Sequence, residues 1–279
     1  MQILLNSIAV EPNRWSEGKI PHFRLESLLE DIARAGFDAI EVWQNHLALL
    51  EGEEVESLVE TARSFDLGFP IIGMYPRFHL EGEEREAELN RFRSMAEKMN
   101  LIDADIIKLM PGGLPSGDLN PELWEKSVGF MREVLEATAQ YDILFTLETH
   151  GGTVADDPDA LERFMEDLNS ERIEVCWQPY DFSSTGKAIK LFDRFSGEIT
   201  HLHLQGRKGG DMELLEHADI DYRQVLGHIF NSDFDGYISI EFVRDCVVDS
   251  PDKFDLQRVL DNARRDREFV ESIPGYSAG

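Results

Sequence analysis

Two cysteines in 279 residues cannot make a disulfide framework. Cys176 and Cys246 fall in or beside apolar strand-like segments and read as reduced core residues of a cytosolic protein. Long hydrophobic runs are missing as well. Nothing approaches the roughly 18 apolar residues a membrane helix needs. The opening MQILLNSIAVEPNRW lacks the basic start and long apolar centre of a signal peptide, its apolar run being broken at Asn6 and Ser7. These absences point to a cytoplasmic protein with no membrane partner. Basic residues are scarce: 27 Lys and Arg against 55 Asp and Glu leave a net charge of −28. The densest basic run, Arg264-Arg265-Asp266-Arg267, falls on the last helical segment and reads as a solvated face. A nucleic-acid binder neutralises phosphates with Lys and Arg, and no basic stripe here does so, which argues against a nucleic-acid partner. The first β–α junction lacks G-x-G-x-x-G, and no P-loop, C-x₂-C pair or H-E-x-x-H occurs, so dinucleotide, P-loop and common zinc readings lose their support.

Hydrophobic residues are 42% of the chain, enough for a substantial core, and they recur in alternating short and long segments. Short aliphatic or β-branched runs occupy 2–5, 38–42, 69–74, 104–109, 143–148, 172–177, 199–204 and 236–242. Between them lie segments with 3.6-residue apolar periodicity. In 23–35, Leu25, Leu28, Leu29, Ile32 and Ala33 share a face; in 122–139, Leu123, Val128, Met131, Leu135 and Thr138 do. Asn120-Pro121 and Asp157-Pro158 each set a capping side chain before a proline at the first helical position, and Gly36 is a helix stop. No linker, low-complexity tract or composition shift divides the chain, so 1–279 reads as a single α/β domain. Eight βα units favour closure over an open doubly wound sheet. The length suits a (β/α)₈ TIM barrel, which typically takes about 250 residues.

In such a barrel the catalytic groups stand at the carboxyl ends of the strands. The first strand ends at Asn6-Ser7, the second at Glu41-Val42-Trp43 and the fourth at Lys108-Leu109-Met110. The fifth ends at Glu148-Thr149-His150, the sixth at Cys176-Trp177-Gln178, the seventh at His203-Leu204-Gln205 and the eighth at Glu241. One polar residue at a strand end is ordinary, because the core stops there. Two glutamates, a histidine and a glutamine converging on one mouth are less so. Glu148, Gln178, His203 and Glu241 are therefore the candidate ligands of one divalent cation. Carboxylate and amide oxygens with one imidazole suit Mn²⁺, Mg²⁺ or Co²⁺ better than a thiolate-seeking metal. Taken singly, Glu148 and Glu241 are equally well explained by ion pairing around the mouth.

The segments GFDAIEVW at 36–43, LETHGG at 147–152 and HLHLQGR at 201–207, with DIDY at 219–222 and GYISIEF at 236–242, resemble in order and spacing the xylose-isomerase-like superfamily of TIM barrels. The resemblance runs over nearly the whole chain. That group includes sugar isomerases, ketose 3-epimerases, hydroxypyruvate isomerases and AP endonucleases. It implies that Glu148 and Glu241 both bind metal and do acid/base work, that His203 is the strand-7 ligand, and that a sugar-like hydroxy-carbonyl substrate is isomerised or epimerised through an enediolate. One departure stands out. The family usually has an aspartate ligand ending strand 6, followed three residues later by a histidine; here those places hold Gln178 and Asp181. Three outcomes stay open: Gln178 ligates with one negative charge fewer, Asp181 swings in, or the site holds no metal. The nuclease branch, with its three-zinc cluster, is disfavoured by Met110 in the strand-4 place, by Gln178 and Asp181, and by the net charge.

Substrate-binding candidates follow. His150 lies two residues past Glu148, on the same side by strand alternation, where it would meet substrate hydroxyls. Arg207, just past strand 7, resembles the family's substrate-contacting position and suits a carboxylate or phosphate. Asp181 joins them, and Trp43 and Trp177 offer an apolar wall for a sugar ring. Barrel-rim packing or a surface ion pair accounts for each of these as well. His46, Lys108 and Tyr75 stay unassigned, and the 206–219 segment, rich in Gly, Glu and Asp, reads as a lid. Against the isomerase reading stand a metal-assisted dehydratase or lyase on the same barrel, and a catalytically silent sugar-binding barrel, for which Gln178 is the main argument. Family members often form homo-oligomers, but no surface stripe here marks an interface.

Overall fold

Parallel strands buried on both faces read as continuous aliphatic runs, and each of the eight runs becomes one. In the computed structural model, which describes residues 1–278, these are β1 (Gln2–Asn6), β2 (Ala39–Trp43), β3 (Gly68–Met74), β4 (Ile106–Leu109), β5 (Leu144–Glu148), β6 (Ile173–Trp177), β7 (Ile199–Lys208) and, after a short β8 (Asp211–Glu213), β9 (Tyr237–Phe242). Pairing runs in chain order from β1 to β7, with β9 joining β7 back to β1, every barrel pair parallel. The sheet is closed, and helices between the strands cover its outside: a TIM barrel in a single domain.

The capping pattern works as its chemistry predicts. The Asn120 side chain accepts from the Leu123 N–H, and Asp157 accepts from those of Asp159 and Ala160, with Pro121 and Pro158 opening the helices Pro121–Ala137 and Pro158–Leu168. Gly36 takes φ 89°, the left-handed conformation that follows a helix end. The periodic 23–35 segment is α-helical only over Leu29–Arg34, after a 3₁₀ turn at Leu25–Leu28.

Two expectations are revised. The 206–219 segment is not a loose lid: β7 runs on to Lys208 and folds back as β8, with Gly206 opposite Glu213. A Cβ at position 206 would sit 2.2 Å from the Glu213 carbonyl oxygen, so a glycine is required there. Leu214 and Leu215 are buried, and the Leu215 N–H donates to Asp266, pinning the returning chain to the last helix, Leu256–Glu271. Arg207 thus lies within β7 rather than past it. The run 264–267 is not wholly a solvated face either, because Asp266 points inward and is buried.

The barrel interior is layered. Leu4, Ala39, Ile71 and Ile106 form a small apolar cluster of their own, with Leu144 and Tyr237 packed against it, at the strands' amino ends. Two residues further along, the inward positions turn polar and charged: Glu41, Lys108, Thr146 and Ser239, all buried. Among the described residues no helix is long and apolar enough to cross a membrane.

Candidate active site and metal centre

Strand register sets the site residues side by side. Asn6 pairs with Glu41, Glu148 with Cys176, Cys176 with His201, and His203 with Ser239. Alternation sends these side chains into the barrel, while Leu147, Leu202, Leu204 and Ile240 join the outer core under the helices.

Donor atoms of Glu148, His203 and Glu241 all lie within 4.8 Å of one another, and all three residues are buried. His203 Nδ1 is 3.4 Å from Glu241 Oε1 and 3.9 Å from Glu148 Oε1. Its other nitrogen, Nε2, is 2.8 Å from Glu41 Oε2. That same carboxylate oxygen accepts the Ser239 hydroxyl at 2.5 Å and lies 3.1 Å from His201 Nε2. A carboxylate on the far nitrogen is what orients a metal-binding imidazole and fixes which nitrogen faces the ion. His203 Nδ1 and Gln178 Oε1 are both buried without a hydrogen-bond partner. An orphaned buried polar atom costs about 1–3 kcal/mol, and a cation among Glu148, His203 and Glu241 would satisfy His203 Nδ1. The Gln178 backbone is held in place by Thr149, whose hydroxyl donates to the Gln178 carbonyl and accepts from its N–H. Two carboxylates, an imidazole and an amide oxygen fit a hard or borderline divalent ion.

Charges in this buried pocket shift one another. Burial opposes ionisation of Glu41, yet the His203 and His201 rings outweigh it and hold the carboxyl well below the usual range. Burial likewise opposes a charge on His203, but Cys176, Glu41 and Glu241 raise its imidazole well above the ordinary value. An arriving cation would displace that proton, so loading is coupled to proton release. Lys108 Nζ is 2.7 Å from Glu148 Oε2, with the lysine fully buried. Burial would push Glu148 up, but the Lys108 ammonium overrides it and keeps the carboxyl below its ordinary value. The Lys108 ammonium also lies 4.7 Å from the centre of the Tyr75 ring. Tyr75 lines a cleft of about 610 Å³ between residues 16–19 and the helix Gly82–Ile102, which places it between solvent and Lys108.

A second series runs beside the mouth. Ser7 Oγ is 3.0 Å from His46 Nδ1, and His46 Nε2 is 3.5 Å from Glu11 Oε2. Ser7 is fully buried and accepts the Trp43 N–H, while Glu11 accepts the N–H groups of Asn13, His22 and Phe23. The series staples the loop after β1 rather than presenting a nucleophile.

Of the residues expected at the site, Glu148, His203 and Glu241 come together, and Gln178 is buried at the end of the neighbouring β6. Asp181 and Arg207 pair with each other instead, Arg207 Nε standing 3.2 Å from Asp181 Oδ1, in a small cleft shared with Phe182, Gln205 and Tyr222. The His150 ring lies 2.7 Å from the Gly151 carbonyl, its own loop, and is half-buried. Trp43 is on the inward face of β2, its ring edge-on to His46 at 5.5 Å. Trp177 faces outward and packs on Phe192 at 6.4 Å, under the helices. Glu41, Lys108, His201 and Ser239 were not assigned from the sequence. A signal was present: Glu41 in AIEVW and Lys108 in IIKL are charges inside otherwise apolar parallel strands, tolerable only where they turn toward a partner inside the barrel.

Both the sequence and the fold match known proteins. Over 181 residues, 63% of this chain, the sequence is 24% identical to a 3-dehydroshikimate dehydratase of Bacillus anthracis, and the match spans 64% of that relative's length. The fold matches a D-psicose 3-epimerase determined in the presence of D-fructose, with a TM-score of 0.77 at 15% identity over 99% of this chain and 100% of the other. It matches the IOLI protein, determined with a bound zinc atom, with a TM-score of 0.76 at 16% identity over 100% of both. At such identities the two structures speak to shared fold. The sequence profile of the xylose isomerase-like TIM barrels covers residues 29–272, and the chain belongs to that family.

Proposed function

We propose that this protein is a metal-dependent isomerase or epimerase of a sugar-like hydroxy-carbonyl compound. The observation that carries the reading is the convergence of Glu148, Glu241 and the unpartnered His203 Nδ1 within one 4.8 Å group. Glu148, Gln178, His203 and Glu241 would hold the ion, Mn²⁺, Mg²⁺ or Co²⁺ by donor chemistry. When bound, it polarises the substrate carbonyl and stabilises the negative charge that develops on the neighbouring oxygens. One glutamate takes the proton from the carbon beside the carbonyl, and the other returns a proton to a different atom or face. Lys108 keeps Glu148 ionised, the state able to accept a proton.

A dehydratase is the second reading, favoured by the sequence match to the Bacillus anthracis protein. There the same proton removal is followed by loss of a hydroxyl from the next carbon, which leaves as water with the proton the carboxylate collected.

The test is metal content by elemental mass spectrometry after dialysis against Mn²⁺ and then metal-free buffer. Near-stoichiometric metal in the parent, lost in Glu148→Gln, is expected. A metal-free parent overturns the reading. Mass analysis of products from a ketose and keto-acid panel then separates the two reactions, since isomerisation conserves mass and dehydration loses one water.

A further inference from the structure

A thiol and two imidazoles meet inside the barrel, and the metal centre described above uses only one of the three. Cys176 stands beside Glu148 across β5 and β6, and opposite His201 across β6 and β7. Donor atoms of Cys176, His201 and His203 all lie within 4.8 Å of one another, and all three residues are buried. His201 has no hydrogen-bond partner at either nitrogen, its Nε2 lying 3.1 Å from Glu41 Oε2. On His203 the nitrogen turned away from Glu41, Nδ1, is unpartnered too. Interior positions of such barrels are ordinarily filled by branched aliphatic side chains, and a buried polar atom left unmet costs about 1–3 kcal/mol. Glu41 does not relieve that cost, because the oxygen facing both rings already serves His203 and the Ser239 hydroxyl. A bound ion does. Thiolate with imidazole is the donor set that takes Zn²⁺, whereas Glu148, Gln178 and Glu241 offer the oxygens that harder ions prefer. Cys246 belongs to neither group.

We propose that Cys176, His201 and His203 form a second, sulfur-containing metal position that takes Zn²⁺. His203 belongs to both donor groups, so the two positions are alternatives: an ion drawn to Cys176 and His201 takes His203 from Glu148 and Glu241. The thiol proton passes to solvent as the ion binds. The position goes beyond the isomerase reading and does not require it, since no substrate enters the argument.

The experiment is zinc K-edge X-ray absorption of the full chain loaded with one equivalent of Zn²⁺, on the parent, Cys176→Ser and Cys246→Ser. The parent is expected to show a sulfur neighbour at about 2.3 Å, kept in Cys246→Ser and lost in Cys176→Ser. In competition titrations Cys176→Ser should bind Zn²⁺ at least about tenfold more weakly, while its Mn²⁺ affinity holds within about twofold. If Cys176→Ser does not fold, the parent and Cys246→Ser carry the test, because the chain has only two cysteines. Nitrogen and oxygen neighbours alone in the parent overturn the inference, and so does a sulfur neighbour lost in Cys246→Ser or surviving in Cys176→Ser. Mn²⁺ uptake without a zinc–sulfur neighbour removes this inference and leaves the isomerase reading standing. A zinc–sulfur neighbour in a parent that retains no Mn²⁺ does the reverse.

Discussion

Glu41 sits in the middle of an apolar strand, fully buried, where a carboxylate is tolerable only if its charge is met. Two imidazoles and a hydroxyl meet it, and in doing so settle which nitrogen of His203 faces Glu148 and Glu241. Outer partners of this kind typically contribute about 10–100-fold to metal affinity. Glu41→Gln keeps the size and one acceptor but loses the charge, so Mn²⁺ affinity should fall by about that factor in a competition titration. Unchanged affinity would mean that His203 is oriented by packing alone. The residue was legible as an anomaly in AIEVW, but its partners were not: His203 lies 162 positions away.

At the scale of elements, the β7–β8 hairpin and the last helix are joined through Asp266. Burial pushes its carboxyl up to about 8, against the Leu215 N–H bond that favours ionisation. An unfolded aspartate titrates near 3.9. The folded state therefore holds a proton the unfolded chain has released between those values, and stability present in acid is lost as pH rises through about 8. Asp266→Asn, neutral throughout, should flatten that decline. Its gain in unfolding free energy over the parent should grow between about pH 5 and pH 9, to the order of a few kcal/mol. A constant difference across that range, measured by urea unfolding, would show that Asp266 ionises normally. The sequence pattern misplaced both pieces, taking 206–219 for a lid and 264–267 for a solvated face. Hairpin closure depends on the close approach of Gly206 to the Glu213 carbonyl, and Asp266 is buried by a neighbour far away in sequence.

For the whole molecule, a net charge of −28 and a pI near 4.5 mean self-repulsion at neutral pH. Raising NaCl from about 0.01 M to about 1 M shortens the Debye length from roughly 30 Å to 3 Å. Thermal unfolding at pH 8 should shift upward by several degrees across that range, and by much less at pH 4.5, where the net charge vanishes. Equal shifts at the two pH values would place the stabilisation in general salt effects rather than in screening. By itself the sequence determined the architecture, because aliphatic strand runs, 3.6-residue periodicity and Asn-Pro and Asp-Pro caps are local signals that need no distant partner. It also determined that Glu148, Gln178 and Glu241 lie at or beside strand ends and that His203 faces the same interior from within β7, since alternation is a property of each strand alone. Only the closed barrel decided what those side chains meet. It brought Lys108 onto Glu148 across 40 residues and Glu41 onto His203, turned Trp177 outward and paired Asp181 with Arg207. Such partnerships depend on distances between elements that closure alone establishes.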